Sequence, residues 1–196
     1  ATGANNTAVG ISALKLNTAA GNTAVGRGSL LNNSTGDNNV GLGYDALNDN
    51  TTGAQNVAIG AYALDANTTA SNNTAVGTYA LGANTTGTRN AAVGWATLDA
   101  ATTAVDNTAL GFQALSAVTT GSYNTGVGSY SGDAITTGTH NTAIGQASGT
   151  AITTGGYNTS VGSQSFTVNT TGTENVSVGY AALDANTTAS YNVAIG

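Results

Sequence analysis

The feature that most constrains the fold is a five-residue pattern, Asn-x-small-aliphatic-Gly, that returns along the chain. It occurs twelve times, and every spacing is 17 residues except the first, which is 16. Self-similarity at a fixed short period is the signature of proteins built from stacked repeats. We therefore predict a single repeat array over residues 1–196, with no separate domain or cap. The copies begin at Asn6, Asn22, Asn39, Asn56, Asn73, Asn90, Asn107, Asn124, Asn141, Asn158, Asn175 and Asn192.

Alignment of the copies gives the unit Asn-Thr-Ala-Val-Gly-x-x-Ala-Leu-x-Ala-Asn-Thr-Thr-Gly-x-x, whose positions 1 to 17 are used below. Position 1 is Asn and position 5 is Gly in all twelve copies, and position 4 is always Val, Ile or Leu. Position 9 is Leu in eight of the eleven copies that reach it. A helix–turn–helix unit takes about 34 residues, and the Thr, Val and Gly content disfavours helix.

Positions 1 to 5 alternate as a strand does, with positions 2 and 4 on one side and position 3 on the other. Gly at position 5 and Gly or Ala at position 15 mark two corners, and a third bend is expected near positions 10 and 11. The sequence therefore predicts an all-β fold, a parallel β-solenoid of about eleven 17-residue coils. Equivalent positions would stack about 4.8 Å apart and form a rod of roughly 55 Å.

The recurring side chains predict the interior. Asn at position 1 is expected to form a ladder of side-chain amides, and the Thr ranks a similar one of hydroxyls. The aliphatic residues of positions 4 and 9 are expected to fill the core. The ladder residues are Asn22, Asn39, Asn56, Asn73, Asn90, Asn107, Asn124, Asn141, Asn158 and Asn175. The core residues are Val25, Leu30, Ile59, Leu64, Val76, Leu81, Val93, Leu98, Leu110, Leu115, Val178 and Leu183.

One exchange between positions supports a shared interior. Where position 9 becomes Gly, at Gly132 and Gly149, position 12 changes to Ile, at Ile135 and Ile152. Volume lost at one place returns at another, as expected if both side chains fill one packed space. Positions 3 and 8 are small in nearly every copy, which fits either a tight coil interior or packing around a three-fold axis. The second reading predicts a homotrimer.

Composition excludes several classes of function. Only 6% of the residues are charged, against roughly 25% in typical proteins. Three cations and a net charge of −6 disfavour nucleic-acid binding and attraction to an anionic membrane. No apolar run reaches the roughly 20 residues that span a bilayer, so we expect no membrane insertion. A disordered polar tract is the alternative, but 40% of the residues are hydrophobic and fall at fixed places.

The repeat resembles a known family. Asn-[Thr/Val]-[Ala/Ser]-[Val/Ile]-Gly, followed by a small residue, is similar to the head repeats of trimeric autotransporter adhesins, whose Asn-Ser-Val-Ala-Ile-Gly motifs build a left-handed parallel β-roll trimer. The longer unit NTAVGTYALGANTTGTRN, from Asn73 to Asn90, resembles repeats of phage and bacterial tail-fibre-type proteins. These resemblances imply an extracellular trimeric fibre shaft that presents a receptor-binding tip or adheres along its length. Two features depart from the pattern: the period is longer than in adhesin heads, and we expect repeats alone, without the stalk, anchor or C-terminal chaperone domain common in such proteins.

Reactive groups are sparse. His140 is the only histidine and there is no cysteine, so no zinc site or nucleophile–histidine pair can be assembled within one chain. We interpret His140, at position 17, as an exposed corner residue. Asp45 and Asp49 fit either solvated turn acids or a calcium site. We predict no catalytic residues, no metal site and no cofactor.

Other polar and aromatic residues leave alternatives open. Six Asn-x-Ser/Thr triplets fit the N-glycosylation pattern or simply reflect composition. Aromatic residues at positions 6, 7 and 17 would bind sugar rings, dock a neighbouring fibre or fill a gap between subunits. The repeated threonines suggest ice binding, although the two constant Thr positions are adjacent and would point to opposite sides of a strand. The triplets begin at Asn33, Asn50, Asn67, Asn84, Asn169 and Asn186.

The first hypothesis for function is a non-enzymatic structural shaft of an extracellular fibre, on a cell surface or a virion. Its expected partner is itself, as a homotrimer or filament. The alternative is a surface module that recognises cell-surface glycans or ice through a repetitive face. The chain does not begin with Met and stops partway through a repeat, so we expect a processed chain or a piece of a longer fibre.

Overall fold

The computed structural model describes residues 3–196, and residues 1 and 2 of the predicted array lie outside the described residues. Each 17-residue repeat forms one coil, numbered here from 1 to 12 in chain order, and contributes one three-residue strand at positions 2 to 4. The strands are β1 Thr7–Val9, β2 Thr23–Val25, β3 Val40–Leu42, β4 Val57–Ile59, β5 Thr74–Val76, β6 Ala91–Val93, β7 Thr108–Leu110, β8 Thr125–Val127, β9 Thr142–Ile144, β10 Thr159–Val161, β11 Val176–Val178 and β12 Val193–Ile195.

The twelve strands form one parallel sheet in sequential order. Each strand pairs with the next in the register of the repeat, so Val57 lies opposite Thr74 and Ile59 opposite Val76. The predicted all-β parallel solenoid is therefore confirmed, with about eleven turns of 17 residues. The described residues contain no helix, and hence none long and apolar enough to cross a membrane.

Outside the strand, each coil has left-handed backbone at positions 7 and 9, and also at position 17 where the coil ends. Positions 6 to 11 form one continuous turn, which includes the bend expected near positions 10 and 11. In coil 4 the φ angle is +57° at Tyr62 and +51° at Leu64. Left-handed conformation costs an ordinary residue about 1–2 kcal/mol.

Hydrogen bonds between coils offset that cost. The Tyr62 N–H donates to the Tyr44 carbonyl of the preceding coil at 2.9 Å, and the Leu64 N–H donates to the Ala80 carbonyl of the following coil at 3.1 Å. The left-handed residues at positions 7 and 9 thus direct their N–H groups toward opposite neighbouring coils, the preceding one and the following one. The turn is stable only as part of a stack, because an isolated coil would leave these groups unpaired.

Position 5 accepts only glycine. Gly60 has φ +131°, a conformation that side-chain-bearing residues rarely adopt. A Cβ on Gly60 would also lie 2.6 Å from the carbonyl oxygen of Gly77 in the next coil. Both the backbone angle and the close approach of neighbouring coils therefore explain why Gly recurs at this corner.

The interior of the coil is narrow and lined by small residues. Position 3 is buried in nearly every coil, and position 8 likewise, as Ala58 and Ala63 of coil 4 illustrate. Position 9 supplies the one large apolar side chain. Of the predicted core residues, those at position 9 lie inside: Leu183 is partly buried and five are fully buried, Leu30, Leu64, Leu81, Leu98 and Leu115.

The prediction that position 4 fills the core is wrong. Its side chains point outward from the sheet, with Ile59 40% exposed, Val93 37% and Leu110 49%. Val25, Val76 and Val178 are partly exposed on the same side. The reason is space: position 3 faces positions 8 and 9 across the coil, and even a Cβ added at Gly126 would lie 2.7 Å from Leu115 Cγ. Only a small residue fits there, so the aliphatic positions on either side of it must face out.

The exchange between positions 9 and 12 has a direct structural basis. A Cβ on Gly132 would lie 3.0 Å from Cδ1 of Ile135, and one on Gly149 would lie 3.2 Å from Cδ1 of Ile152. Both isoleucines are fully buried and occupy the space that Leu fills in other coils. The two positions therefore fill one cavity, as the sequence predicts.

Packing of positions 3 and 8 around a three-fold axis is also contradicted. Both positions face the interior of their own coil, where Ala75, Ala80 and Ala92 have no exposed surface. They are therefore not available to a second chain. The close approach that these small residues permit is between the two walls of one coil.

Candidate functional site

The first buried feature is the asparagine ladder at position 1. In eleven successive steps, the backbone N–H of each asparagine donates to the side-chain Oδ1 of the asparagine one coil earlier. Asn124 N–H, for example, lies 2.9 Å from Asn107 Oδ1. The same side chain donates through Nδ2 to Gly121 O at 3.0 Å and to Asn90 Oδ1 at 3.2 Å. The Asn107 amide therefore joins three consecutive coils.

All ten predicted ladder residues lie in this row, and their side chains are at most 2% exposed. The bonding differs from the simple amide-to-amide ladder that the sequence predicts. Seven steps carry a side-chain to side-chain bond, whereas the bond to the next backbone N–H is present at every step. The ladder acts chiefly by satisfying buried backbone groups, which are costly to leave unpaired.

A second asparagine ladder runs along position 12. Asn50 Nδ2 donates to Asn33 Oδ1 at 2.6 Å, and Asn67 Nδ2 donates to Asn50 Oδ1 at 2.7 Å. Asn50 also donates to the Gly53 carbonyl at 2.9 Å, which accepts a second bond from Asn39 of the first ladder at 2.8 Å. The two ladders thus meet at the position 15 corner in coils 2 to 5, where position 12 is Asn.

This arrangement contradicts most of the predicted glycosylation sites. Five of the six asparagines are fully buried and hydrogen-bonded inside the coil, so their amides have no room for a glycan in the folded chain: Asn33, Asn50, Asn67, Asn84 and Asn169. Asn186 is partly exposed, but it also donates to the Ala189 carbonyl at 3.2 Å. The signal for this second ladder was the recurrence of Asn in register, as at position 1.

The second ladder ends at Asn84. Its Nδ2 donates to Asn67 Oδ1 at 3.0 Å, but its own Oδ1 is buried without a partner. The next coil carries Ala101 at position 12, so no donor is available. The C-terminal end of this run therefore leaves one acceptor unpaired, whereas Asn17 at its N-terminal end accepts a bond from Asn33 Nδ2 at 2.6 Å.

The outward sheet face is the largest regular surface. We define it as the side chains of positions 2 and 4 on strands β1 to β12. Position 2 is Thr, Val or Ala, position 4 is Val, Ile or Leu, and neither position carries a charged residue in any copy. Because every strand pairs in the same register, the position 4 side chains form one continuous aliphatic row.

An aromatic strip borders this face on the position 6 and 7 side. Tyr62 and Tyr79 stack with their centroids 5.2 Å apart and their planes within 3°. Trp95 and Phe112 stack at 5.0 Å with their planes within 12°. We define the aromatic strip as six exposed or partly exposed rings in six successive coils: Tyr44, Tyr62, Tyr79, Trp95, Phe112 and Tyr130.

The six rings contact one another in four pairs, of which two are stacked and two meet edge to face. In the two stacked pairs, each ring covers one face of its neighbour in the next coil. A sugar ring that stacks on an aromatic side chain needs a free ring face. The strip is therefore better suited to apolar packing against a neighbouring surface than to stacking on sugars along its length.

The opposite edge of the sheet face carries the position 17 row. His140 lies between Tyr123 and Tyr157, with centroids 4.7 and 4.6 Å away, and it is exposed at a corner. Earlier in the row, Arg89 forms a two-pronged ion pair with Asp106 at 2.7 and 2.8 Å. The hydrogen bond from Arg89 lowers the pKa of Asp106. This row is a solvent-facing set of stacked and paired side chains.

The threonine positions divide into two roles. Position 13 hydroxyls donate to the backbone carbonyl of the same position in the next coil, as Thr51 does to Thr68 at 2.9 Å. Position 14 threonines are exposed in ten successive coils, on the side of the rod away from the sheet face: Thr35, Thr52, Thr69, Thr86, Thr103, Thr120, Thr137, Thr154, Thr171 and Thr188.

The acidic residues do not converge on a metal site. Asp45 Oδ1 accepts a bond from Asn48 at 3.3 Å, and Asp49 Oδ1 accepts one from Asn32 at 3.1 Å. Within residues 3–196 no three His, Cys, Asp or Glu side chains lie close enough to hold a metal ion. The two predicted calcium-site candidates are therefore bound to separate asparagine side chains.

Burial disfavours the charged form of three aspartates at position 10. Desolvation raises the pKa of Asp65, Asp99 and Asp133 above the ordinary 3.8. A carboxyl group with a higher pKa in the folded chain binds its proton more tightly there, so its ionisation destabilises the fold at neutral pH. That cost disappears as the pH falls through the raised pKa.

Comparison with known proteins identifies no relative, so the class of this chain is defined by its fold alone. No protein-family model matches the sequence, and no curated protein or solved structure matches it. The fold defines a parallel β-solenoid with two buried asparagine ladders and an outward apolar sheet face bordered by stacked aromatic rings.

Proposed function

We propose that the chain is a structural shaft segment of an extracellular fibre, tail-fibre-like or adhesin-like, which acts mechanically rather than as an enzyme. The observation that carries the proposal is the unbroken hydrogen bonding between coils. All eleven strand pairings keep the same register, and a buried asparagine joins the coils at every step. Within residues 3–196, consecutive coils follow one another without an inserted loop.

The direction of these bonds suits a load-bearing element. In coil 7, Thr108 N–H donates to the carbonyl of Asn124 in the next coil, and Gly111 N–H donates to that of Val93 in the preceding coil. Such bonds run nearly parallel to the rod axis. A force along the rod is shared by all bonds between two coils, so they must break together rather than one after another.

The extracellular location and the self-association are supported by the resemblance of the repeat to adhesin heads and tail-fibre repeats. The proposed partner is the chain itself, in a homotrimer or filament. Cell-surface glycans are a second class of partner that such a fibre would meet at its tip or along its length.

The location is tested by antibody labelling of the source cells or virions in the electron microscope. Antibodies raised against the folded chain are expected to label filaments on intact particles without permeabilisation. Labelling that appears only after the cells are permeabilised would contradict an extracellular fibre. Antibodies absorbed with the purified chain serve as the control.

A second candidate function, ice binding, is favoured by the exposed threonine row at position 14. Ten successive coils present the same hydroxyl and methyl groups on a rigid backbone. The test is ice growth in the presence of the chain: inhibition by the wild type and its loss in Thr103→Tyr would support the candidate. Thr108→Tyr, on the sheet face, is the matched control, and a wild type without effect on ice growth would exclude it.

A further inference from the structure

We propose that the outward sheet face packs against the same face of a second copy of this chain. The inference rests on the proposed structural role, because it names the surface through which copies of the shaft associate. A face that packs against itself closes a pair of chains, so this contact builds a two-chain rod in place of the homotrimer. It differs from packing around positions 3 and 8, which the coil buries within itself.

The exposed apolar surface on this face is too continuous for a free rod. Ile59, Leu110 and Ile144 are 40%, 49% and 39% exposed, and an aliphatic residue occupies the same place in each of the twelve strands. Single exposed aliphatic residues are ordinary, but soluble monomers rarely expose contiguous apolar patches larger than a few hundred Å². We therefore expect this aliphatic row, which runs the length of the rod, to be buried against a partner surface of similar length.

The repeat of the face limits what that cover can be. It must be uncharged, because positions 2 and 4 offer no charged group to pair. It must also be straight and carry side chains at the spacing of about 4.8 Å that separates neighbouring strands. The same face of a second copy has the same spacing, length and chemistry, so its side chains fit between those of the first along the whole rod.

The available area is sufficient for a stable pair. The face is about 50 Å long and, from position 2 to the aromatic strip, about 15 Å wide, on standard strand dimensions. That is on the order of 750 Å² for each copy. Stable protein–protein interfaces bury about 800 Å² on each partner, so the face meets the usual size of an interface.

The two edges of the face favour a parallel pair. When two copies face each other with parallel chains, the position 6–7 edge of one lies over the position 17 edge of the other. The aromatic strip spans coils 3 to 8, and the position 17 edge beside these coils carries Asn38, Gln55 and Asn72, followed by the Arg89–Asp106 ion pair and Tyr123. In coils 3 to 5 the bulky edge of one copy therefore meets the thinner edge of its partner, and in coils 6 and 7 Trp95 and Phe112 meet the Arg89–Asp106 pair. An antiparallel pair would instead set aromatic strip against aromatic strip.

The test is the mass in solution of the wild type and two double variants. Leu110→Lys with Val127→Lys places two charges on the sheet face in coils 7 and 8. Thr120→Lys with Thr137→Lys places the same charges in the same coils on the opposite side of the rod. We expect the wild type and the second variant to sediment as assemblies and the sheet-face variant to fall to one chain of 18.9 kDa, with an unchanged circular dichroism spectrum.

A cysteine experiment keeps the inference testable if the lysine variants fail to fold. The chain has no cysteine, so single substitutions report on one place only. Leu110→Cys, near the middle of the face, is expected to cross-link two chains with a short bifunctional thiol reagent, whereas Thr120→Cys is not. A wild type that is one chain at all concentrations, or equal cross-linking of both cysteines, would overturn the inference. Such a result leaves the antibody test of an extracellular shaft unaffected.

Discussion

Removal of one ladder asparagine tests whether the buried amides hold the coils together. In Asn107→Ala, the backbone N–H of Asn124 and the carbonyl of Gly121 lose the side chain that bonds them. Both groups lie in buried residues. A buried polar group left without a partner costs about 1–3 kcal/mol, so the two together predict a loss of about 2–6 kcal/mol.

The assay is urea unfolding followed by circular dichroism, with hydrogen exchange to locate the damage. Stability in a stacked array is carried by contacts between neighbouring repeats, so we expect faster exchange in coils 6 to 8 than at either end. Thr120→Ala in the same coil removes an exposed side chain and should change the free energy of unfolding by less than about 0.5 kcal/mol.

The refuting result is an Asn107→Ala variant no less stable than Thr120→Ala. It would mean that water or neighbouring groups replace the amide without cost, and that the ladder is a consequence of stacking rather than a cause of it.

Three further predictions are tested by unfolding, the first two in urea and the third by heating. Gly60→Ala should cost about 3 kcal/mol or more, because the new Cβ meets the next coil in a strained backbone conformation, and a loss below 1 kcal/mol would contradict this geometry. Asn67→Ala should cost about 1–3 kcal/mol more than Asn84→Ala, because it leaves Asn50 Oδ1 as an additional unpaired buried acceptor. Asn84→Ala leaves Asn67 Oδ1 unpaired but removes the unpaired Oδ1 of Asn84, so the number of unpaired acceptors does not change. Equal losses would refute the second ladder. Burial raises the pKa of Asp133, so Asp133→Asn should raise the melting temperature at pH 7 and flatten its rise on acidification toward pH 4. A variant with the melting temperature and pH dependence of the wild type would contradict this reasoning.

The architecture was predictable because the repeat states it directly. A constant period predicts stacking, Gly at a constant position predicts a corner, and Asn in register predicts a ladder. In one repeat, position 9 changes from Leu to Gly and position 12 changes from Asn to Ile, at Ile135. This paired change predicted correctly that the two positions share one cavity. Each of these inferences needs only the order of residues in one coil and the knowledge that coils stack.

The direction of the strand side chains was not predictable in the same way. Alternation shows that positions 2 and 4 share a side, but not whether that side is the interior. Hydrophobicity favours Val inside, yet the coil is too narrow opposite Leu115 for anything but a small residue at position 3. That width depends on the left-handed turn at positions 7 and 9, which ordinary residues such as Tyr62 adopt only because the stack satisfies their peptide groups.

The central claim, that each 17-residue repeat adds one coil to a straight stack, is tested most directly by distances between spin labels. The cysteine-free chain allows labels at Thr52 with Thr137, five coils apart, and at Thr52 with Thr188, eight coils apart. At about 4.8 Å for each coil, the account predicts separations of about 24 and 38 Å with narrow distributions. Broad distributions, or separations that do not grow in proportion to the number of coils, would contradict it.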